Sequence, residues 1–184
     1  MRVITGKAKG IRLKSPPPGA ARPTSDLVRG AIFSALESLN FQWGDVLDLF
    51  AGTGAMGIEA LSRGALRADF VERDARLCAL IQQNLEATNF SEQARVYQMT
   101  VEKALPLMDK QYGLILLDPP YVGVNADEVM STLVESRASA GNPVLVFEHS
   151  ARKAGSERYG RFARFKEIQH GGTTVSLYVA RAVA

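Results

Sequence analysis

A glycine-rich segment between residues 48 and 57 has the residue types and spacing of a nucleotide-binding turn. Gly52, Gly54 and Gly57 match the pattern G-x-G-x-x-G, in which the backbone approaches a ligand closely. Glu72 follows Gly52 by 20 positions, the spacing at which an acid binds ribose hydroxyls in dinucleotide-binding folds. The spacing by itself therefore fits a nicotinamide dinucleotide (NAD) equally well.

Asp48 favours a cationic ligand in this loop. It ends an otherwise apolar run, where a carboxylate is costly to bury unless a partner satisfies it. A dinucleotide needs backbone N–H groups for its pyrophosphate, whereas S-adenosylmethionine (SAM) has no phosphate and carries an ammonium group and a sulfonium. The pattern predicts a SAM site, with Asp48 on the ammonium group directly or through water and Glu72 on the ribose. A glycine turn needed only for helix packing is the alternative.

A second motif, Asp118-Pro119-Pro120-Tyr121, follows the apolar residues 114–117. Two prolines cannot continue a central strand, so the motif must lie at the carboxyl edge of the sheet, where α/β folds bind ligands. The Asp118 carboxylate and the Pro119 carbonyl can accept N–H bonds from an aromatic amine, and Tyr121 offers a face for an unstacked base. The motif predicts a clamp for an amine that is to be methylated; a proline-rich turn is the alternative.

Strand and helix patterns alternate from residue 45 onward and predict the elements that carry these motifs. The predicted strands are residues 46–50, 69–72, 95–99, 114–118 and 144–148. The predicted helices are residues 24–39, 56–63, 75–88, 101–108 and 126–137. Strict alternation indicates a parallel sheet with helices on both faces. Residues 165–170 and 174–181 flank a Gly-Gly-Thr turn and predict a terminal antiparallel hairpin. The fold class is therefore α/β, a doubly wound, mostly parallel sheet with an antiparallel last strand.

The N-terminal 21 residues are predicted to be an arm that precedes one catalytic domain, residues 22–184. Two short β-type runs around a glycine-punctuated turn indicate a β-hairpin, and the prolines at 16–18 indicate an extended linker. After the linker, Thr24 or Ser25 is placed to cap the first helix.

Charge is strongly segregated along the chain, although the net value is only +3. Residues 1–30 carry a net charge of +6, residues 31–149 carry −8 and residues 150–184 carry +5. Such segregation predicts a polyanionic partner such as nucleic acid; basic tails that only aid solubility are the alternative. The candidates for nucleic-acid contact are Lys7, Lys9, Arg12, Arg22, Thr24 and Arg29.

Several other features of the sequence fit a structural role as well as a functional one. The basic residues of 152–166 alternate with aromatic side chains and fit an RNA surface or an ordinary edge strand equally. Cys78 is interpreted as a buried filler of its helix, and Glu148 as a structural carboxylate near the ligand crevice. No His has metal-ligand spacing with another ligand, so no metal is expected.

Composition excludes other protein classes. The chain has 184 residues, 46% of them hydrophobic, which fits one globular domain. No apolar run is long enough for a spanning helix, the N-terminus lacks a signal-peptide core, and one cysteine cannot form an internal disulfide. We expect a monomer in a reducing cytoplasm, without a membrane partner.

Almost the whole chain resembles the bacterial 16S ribosomal RNA guanine-N2 methyltransferases, which are class I SAM-dependent enzymes with a DPPY motif. The resemblance is carried by residues 2–6 (RVITG), 10, 13, 22–26 (RPTSD), 28–29, 48–65 (DLFAGTGAMGIEALSRGA), 70–72 (FVE), 84–85, 117–121 (LDPPY) and 146–148 (VFE). DPPY is shared with DNA amino-methyltransferases, so the RPTSD segment and the long glycine-loop extension are the more specific parts.

The resemblance implies methyl transfer from SAM to the N2 amine of one guanine in 16S rRNA, either naked or in an assembling small subunit. The catalytic residues it implies are Asp118, Pro119, Pro120 and Tyr121. The cofactor-binding residues it implies are Asp48, Phe50, Ala51, Gly52, Thr53, Gly54, Gly57, Glu72, Arg73 and Thr100. Thr100 stands where such enzymes often carry an acid, and Tyr121 where many carry phenylalanine. A DNA amino-methyltransferase, an NAD oxidoreductase and a non-catalytic RNA-binding module remain as alternatives.

Overall fold

The elements of the chain follow the alternating order that the sequence predicts. The computed structural model describes residues 1–16, 25–39, 41–120, 123–151 and 155–181. Its helices are α1 (Asp26–Glu37), α2 (Ala55–Arg63), α3 (Ala75–Thr88), α4 (Val101–Ala104) and α5 (Ala126–Glu135). Its strands are β1 (Asp45–Leu49), β2 (Arg67–Glu72), β3 (Ala94–Gln98), β4 (Leu114–Leu117), β5 (Val144–Ser150), β6 (Arg158–Tyr159), β7 (Phe162–His170) and β8 (Thr173–Ala180).

The strands form one eight-stranded sheet in the order β3-β2-β1-β4-β5-β8-β7-β6. The first five strands are parallel, and β8 inserts antiparallel between β5 and β7. This arrangement confirms the predicted fold class. The sequence did not predict the two-residue strand β6, which pairs with the start of β7.

Apolar side chains cover both faces of the sheet, as expected for parallel strands between helical layers. Alternate residues of β4 serve opposite faces. Leu114 and Leu116 pack in one cluster with α1, α2 and α3, while Ile115 and Leu117 pack in the other with α4 and α5. The central strands are therefore held from both sides, which fixes the positions of their carboxyl ends.

Element boundaries differ from the predictions by one to three residues at several strands, and at three places a proline or a cap explains the difference. The strand predicted to include Asp118 ends at Leu117, just before the two prolines. The first helix begins at Asp26 because the Ser25 hydroxyl caps it by accepting from the Val28 N–H, and it ends at Glu37. The predicted helix 101–108 divides into α4 and a 3₁₀ turn, Leu105–Leu107, that contains Pro106.

The N-terminal residues pack against α2. They form one antiparallel bridge, Arg2 with Arg12, rather than two regular strands. Both oxygens of the buried Glu59 side chain accept from this segment, from the N–H groups of Ile4 (2.8 Å) and Thr5 (3.1 Å). Val3 and other apolar residues of the segment belong to the main core. The predicted arm is thus docked on α2 and the main core over its described length, residues 1–16.

Candidate active site

Four acidic residues lie at the carboxyl edge of four neighbouring strands. Glu72 ends β2, Asp48 lies one residue before the end of β1, Asp118 follows β4, and Glu148 lies in the last half of β5. These strands are adjacent in the order β2-β1-β4-β5. The glycine loop and the proline motif therefore share one edge of the sheet, the usual ligand position in open α/β folds.

The loop after β1 turns sharply into α2. Gly52 and Gly54 adopt left-handed backbone angles, with φ of 56° and 75°, and Gly54 caps the helix. Ala51, before the two glycines, and Thr53, between them, are buried, and the Ala51 N–H donates to the Val71 carbonyl at 3.0 Å. The loop backbone is thereby tied to β2 and lies beside the open edge.

Asp48 is a buried carboxylate whose Oδ2 accepts from the Gly57 N–H at 2.9 Å. Burial is the main reason that the pKa of Asp48 is raised to about 8; the hydrogen bond from Gly57 opposes the rise, and the charge of Glu72 adds to it. Within the described part of the chain, no basic side chain pairs with Asp48. A cationic ligand group beside it would restore the charged form.

Glu72 joins the glycine loop to the start of α3. Its Oε2 accepts from the Gly52 N–H and its Oε1 from the Asp74 N–H, each at 2.9 Å. These two bonds fix the orientation of the carboxylate at the end of β2. Each oxygen retains a second lone pair, which can accept from a hydroxyl such as that of a ribose.

Asn84 supports the loop from α3, a role that the sequence reasoning missed. Its Nδ2 donates to the carbonyls of Thr53 (3.0 Å) and Lys14 (3.1 Å), and its Oδ1 accepts from the Lys14 N–H (2.7 Å). The side chain is fully buried. The only sequence signal for this role of Asn84 was that residues 84–85 are among those that carry the family resemblance. Asn84 connects the basic N-terminal segment to the glycine loop.

The other predicted cofactor contacts, Phe50, Arg73 and Thr100, differ in their exposure to solvent. Phe50 is partly buried against the α4 and α5 side of the core, with φ of 60°. Arg73 is exposed after β2. Thr100 is partly buried before α4, and its hydroxyl does not cap that helix. Contact between these three side chains and a cofactor stays a prediction.

Asp118 lies at the end of β4, next to both neighbouring acids. Its N–H donates to the Leu49 carbonyl at 3.5 Å, which holds the backbone against β1. Loss of water around the carboxyl group raises the pKa of Asp118 well above its usual range, and the charges of Glu148 and then Asp48 add to this effect. An amine that donates N–H bonds would stabilise the charged form.

A cavity of about 240 Å³ opens beside the proline motif. Pro119, Pro120, Phe147, Glu148 and His149 are among the residues that line it. Pro119 is buried and Pro120 is exposed. Tyr121, the predicted stacking residue, lies outside the described residues. The cavity is smaller than the roughly 300–1,000 Å³ of drug-sized ligand sites, so it suits a compact group such as one base.

The predicted nucleic-acid contacts divide into two groups. Lys7, Lys9 and Arg12 are exposed on the N-terminal segment, as a phosphate contact requires. Arg22 and Thr24 lie outside the described residues.

Arg29 is in the core, so its prediction as a phosphate contact is wrong for this structure. Its side chain is fully buried, donates to the Arg2 carbonyl and to Asp26 Oδ1 (3.1 Å), and lies 3.8 Å from Glu59 Oε2. The physical reason is its position on the inner face of α1, near buried Glu59, which also pairs with Arg63 at 2.8 Å.

The second basic segment resembles an edge strand more than a stacking surface. Tyr159 and Phe162, two of its three aromatic residues, are buried in the core. Arg164 pairs with Glu167 at 2.9 Å, and Arg161 donates to the Ser139 carbonyl. Residues 152–154 lie outside the described residues.

The three remaining features of the sequence are the cysteine, a possible metal site and a possible membrane span. Cys78 is buried in α3 and its Sγ donates to the Glu72 carbonyl at 3.2 Å. Among the described residues, no group of three or more His, Cys, Asp or Glu side chains could hold a metal ion. None of the described helices is long and apolar enough to cross a membrane.

Comparison with known proteins agrees with this fold. The model of a protein family described as "Conserved hypothetical protein 95" matches residues 1–179. A Bacillus subtilis protein named "Putative rRNA methyltransferase YlbH" is 34% identical over 184 residues, 98% of this chain and 100% of that protein. The "Ribosomal RNA small subunit methyltransferase D" of Escherichia coli K12 is 31% identical over 150 residues, 82% of this chain and 74% of that protein.

Solved structures with a similar fold include a protein titled as a methyltransferase. The structure titled "Putative methyltransferase yhhF from Escherichia coli" superposes with a TM-score of 0.85 at 27% identity, covering 100% of this chain and 99% of that chain. The fold is therefore the Rossmann-like fold of methyltransferases. The chain belongs to the family described as conserved hypothetical protein 95, together with relatives that are named as ribosomal RNA small subunit methyltransferases.

Proposed function

We propose that this protein transfers a methyl group from SAM to the exocyclic N2 amine of a guanine in small-subunit rRNA. One observation carries the proposal: a buried Asp48 beside a glycine loop lies on the strand next to Asp118, at one sheet edge. The first acid suits a cationic cofactor and the second suits an amine. Two relatives that are named as rRNA methyltransferases support methylation of rRNA.

The described residues fit SAM better than a dinucleotide. Asp48 and Glu72 place two carboxylates beside the glycine loop, and neither forms an ion pair with a described residue, so a pyrophosphate would meet repulsion there. Asp48 would hold the ammonium group and Glu72 the ribose hydroxyls, while the backbone of residues 51–54 lines the methionine moiety. SAM supplies a methyl group that is activated by positively charged sulfur.

Asp118 and Pro119 would hold the acceptor amine. The lone pair of an aromatic amine is delocalised into the ring, so the nitrogen becomes a better nucleophile when acceptors hold its N–H bonds out of the ring plane. The Asp118 carboxylate and the Pro119 carbonyl supply two such acceptors on a backbone that the prolines stiffen. The rate gain comes mainly from positioning, and the proton that leaves the nitrogen passes to Asp118 or water.

The RNA would reach this edge with its target base turned out of the loop. Tyr121 would stack on that base, a contact worth about 1–3 kcal/mol. The exposed Lys7, Lys9 and Arg12 would contact phosphates, on 16S rRNA or on an assembling small subunit, with the protein acting as a monomer.

The test uses 16S rRNA and small subunits from cells that lack this gene, each incubated with the full chain and tritiated SAM. Mass spectrometry of the digested nucleosides should identify N2-methylguanosine, and mapping of the label should locate it at one guanine. Label in adenosine or cytidine, or only in added DNA, would reject guanine N2 and favour a different amino-methyltransferase.

Two further outcomes reject methyl transfer altogether. Calorimetric binding of NAD but not of SAM would favour an oxidoreductase. Binding of rRNA and SAM without any transferred label on either substrate form would favour a non-catalytic module.

A further inference from the structure

Glu148 lies directly beside Asp118 at the edge of the sheet. In the parallel pairing of β4 with β5, Leu117 is opposite Phe147. Asp118 follows Leu117 and Glu148 follows Phe147, so the two acids come next to each other in the same register. Neighbouring strands are about 4.8 Å apart. The negative charge of Glu148 is the largest contribution to the raised pKa of Asp118 after burial, which also indicates that the two carboxyl groups are close.

Glu148 faces the space in which an acceptor base fits. It lines the 240 Å³ cavity together with Pro119 and Pro120, the residues that follow Asp118 in the clamp. Phe147, the residue before Glu148 on β5, also lines the cavity. A planar group that enters this cavity beside Pro119 therefore meets Glu148, and Asp118 directly precedes Pro119 at the same edge of the sheet.

Two adjacent carboxylates select a ligand edge that carries two adjacent N–H donors. Guanine has such an edge, because N1–H and the N2 amine are neighbours on its Watson–Crick side. Adenine and cytosine each present a lone pair beside their exocyclic amine, and a carboxylate at that position would repel it. The mutual repulsion of Asp118 and Glu148 would be relieved most by the guanine edge.

We infer that Glu148 is the residue that specifies guanine: its carboxylate accepts the N1–H while Asp118 accepts an N–H of the N2 amine. This inference rests on the proposed function and names the element of that site that distinguishes guanine from other bases carrying an amine. Glu148 is a specificity residue that touches the base.

The experiment changes the base and the protein together. The guanine located by the mapping experiment is replaced, in a synthetic rRNA segment assembled into the subunit where required, by 2-aminopurine or 2,6-diaminopurine. Both analogues keep the N2 amine but carry a lone pair in place of N1–H. The wild-type chain should methylate guanine at least about tenfold faster than either analogue, measured as kcat/KM.

The variant Glu148→Gln should reduce this preference to within about threefold, because the Gln amide can donate to the N1 lone pair. Its rate on guanine should fall while its rate on the analogues rises. Glu135→Gln is the matched control: Glu135 is exposed at the far end of α5, and its replacement should leave the preference unchanged. SAM binding by calorimetry and thermal unfolding verify that each variant is folded.

The inference is overturned if the wild-type chain methylates guanine and either analogue equally, a result that needs no variant. It is also overturned if Glu148→Gln folds and slows all three bases by the same factor, since Glu148 would then be a structural carboxylate. In both cases N2 methylation of guanine persists in the wild type, so the proposed function stands. Absence of any N2 label on guanine would instead reject the proposed function.

Discussion

The Oδ2 atom of Asp48 accepts a hydrogen bond from the Gly57 N–H at 2.9 Å across the turn between β1 and α2. Gly57 is in the first turn of α2, where backbone N–H groups have no partner within the helix. The bond therefore satisfies a helix N–H and also fixes the carboxylate that we assign to the cofactor. The same contact makes the turn sensitive both to pH and to a side chain at position 57.

Replacing Asp48 with Asn should remove a pH dependence of stability. The pKa of Asp48 is raised to about 8 in the folded chain, so the folded state holds a proton that the unfolded state releases near the ordinary value of 3.8. The associated stability is present below that ordinary value and is lost as pH rises toward 8. Its slope is at most about 1.4 kcal/mol per pH unit. Urea unfolding of both chains between pH 5 and 9 measures the difference, and parallel curves would contradict the assignment.

Affinity for SAM should change with pH in the opposite direction. A cationic group binds the charged carboxylate, so affinity should rise as pH increases toward about 8. Calorimetry with the wild type should show this rise, and Asp48→Asn should bind more weakly with a flatter profile. An unchanged affinity in the variant would place the ammonium group elsewhere.

Replacing Gly57 with Ala should destabilise the chain and weaken SAM binding. The added Cβ would lie 2.4 Å from Phe70 Cε1 and 3.1 Å from Asp48 Oδ2, so the ring and the carboxylate must both shift. Overpacking of this kind costs about 1–3 kcal/mol. Denaturant unfolding gives the cost, and Gly172→Ala is the control, because its Cβ meets nothing within 4 Å. Equal stability of the two variants would show that the α2 turn adapts freely.

Asp118→Asn should separate methyl transfer from cofactor binding. The amide keeps the size of the side chain but removes its charge, so it holds and deprotonates the acceptor amine poorly. We expect kcat to fall by about 10²–10⁴, with the dissociation constant of SAM within about twofold of the wild type. Single-turnover transfer and calorimetry measure the two quantities. A variant with normal turnover would refute the clamp.

Lys7→Ala combined with Lys9→Ala should weaken RNA binding without changing its chemistry. Both side chains are exposed on the docked N-terminal segment. Each phosphate that is no longer neutralised should reduce the steepness of log affinity against log salt by about 0.7–0.9. Filter binding to 16S rRNA at several salt concentrations gives this slope. Arg137→Ala, which removes an exposed charge after α5, serves as the control. An unchanged slope in the double variant would move the RNA surface away from this segment.

Local patterns in the sequence were sufficient for the alternating elements, the glycine turn and, to within one residue, the end of β4. These features depend on interactions between residues close in the chain: apolar periodicity, positive φ at Gly54, and the missing N–H of two prolines. The predicted helix 75–88 has the bounds of α3 for the same reason. Such rules say which segment is a strand or a helix and at which edge a motif lies.

Only the tertiary structure decided which residues from distant parts of the chain are in contact. Arg29 has the sequence character of a surface cation, but the docked N-terminal segment and Glu59 enclose it. Asp118 and Glu148 are 30 positions apart in the chain, and only the register of β4 with β5 makes them neighbours. Contacts between distant segments depend on packing and strand register, which local propensity does not encode. The sequence by itself therefore determined the chemistry available at the sheet edge, and the packing of the sheet decided which acids act together.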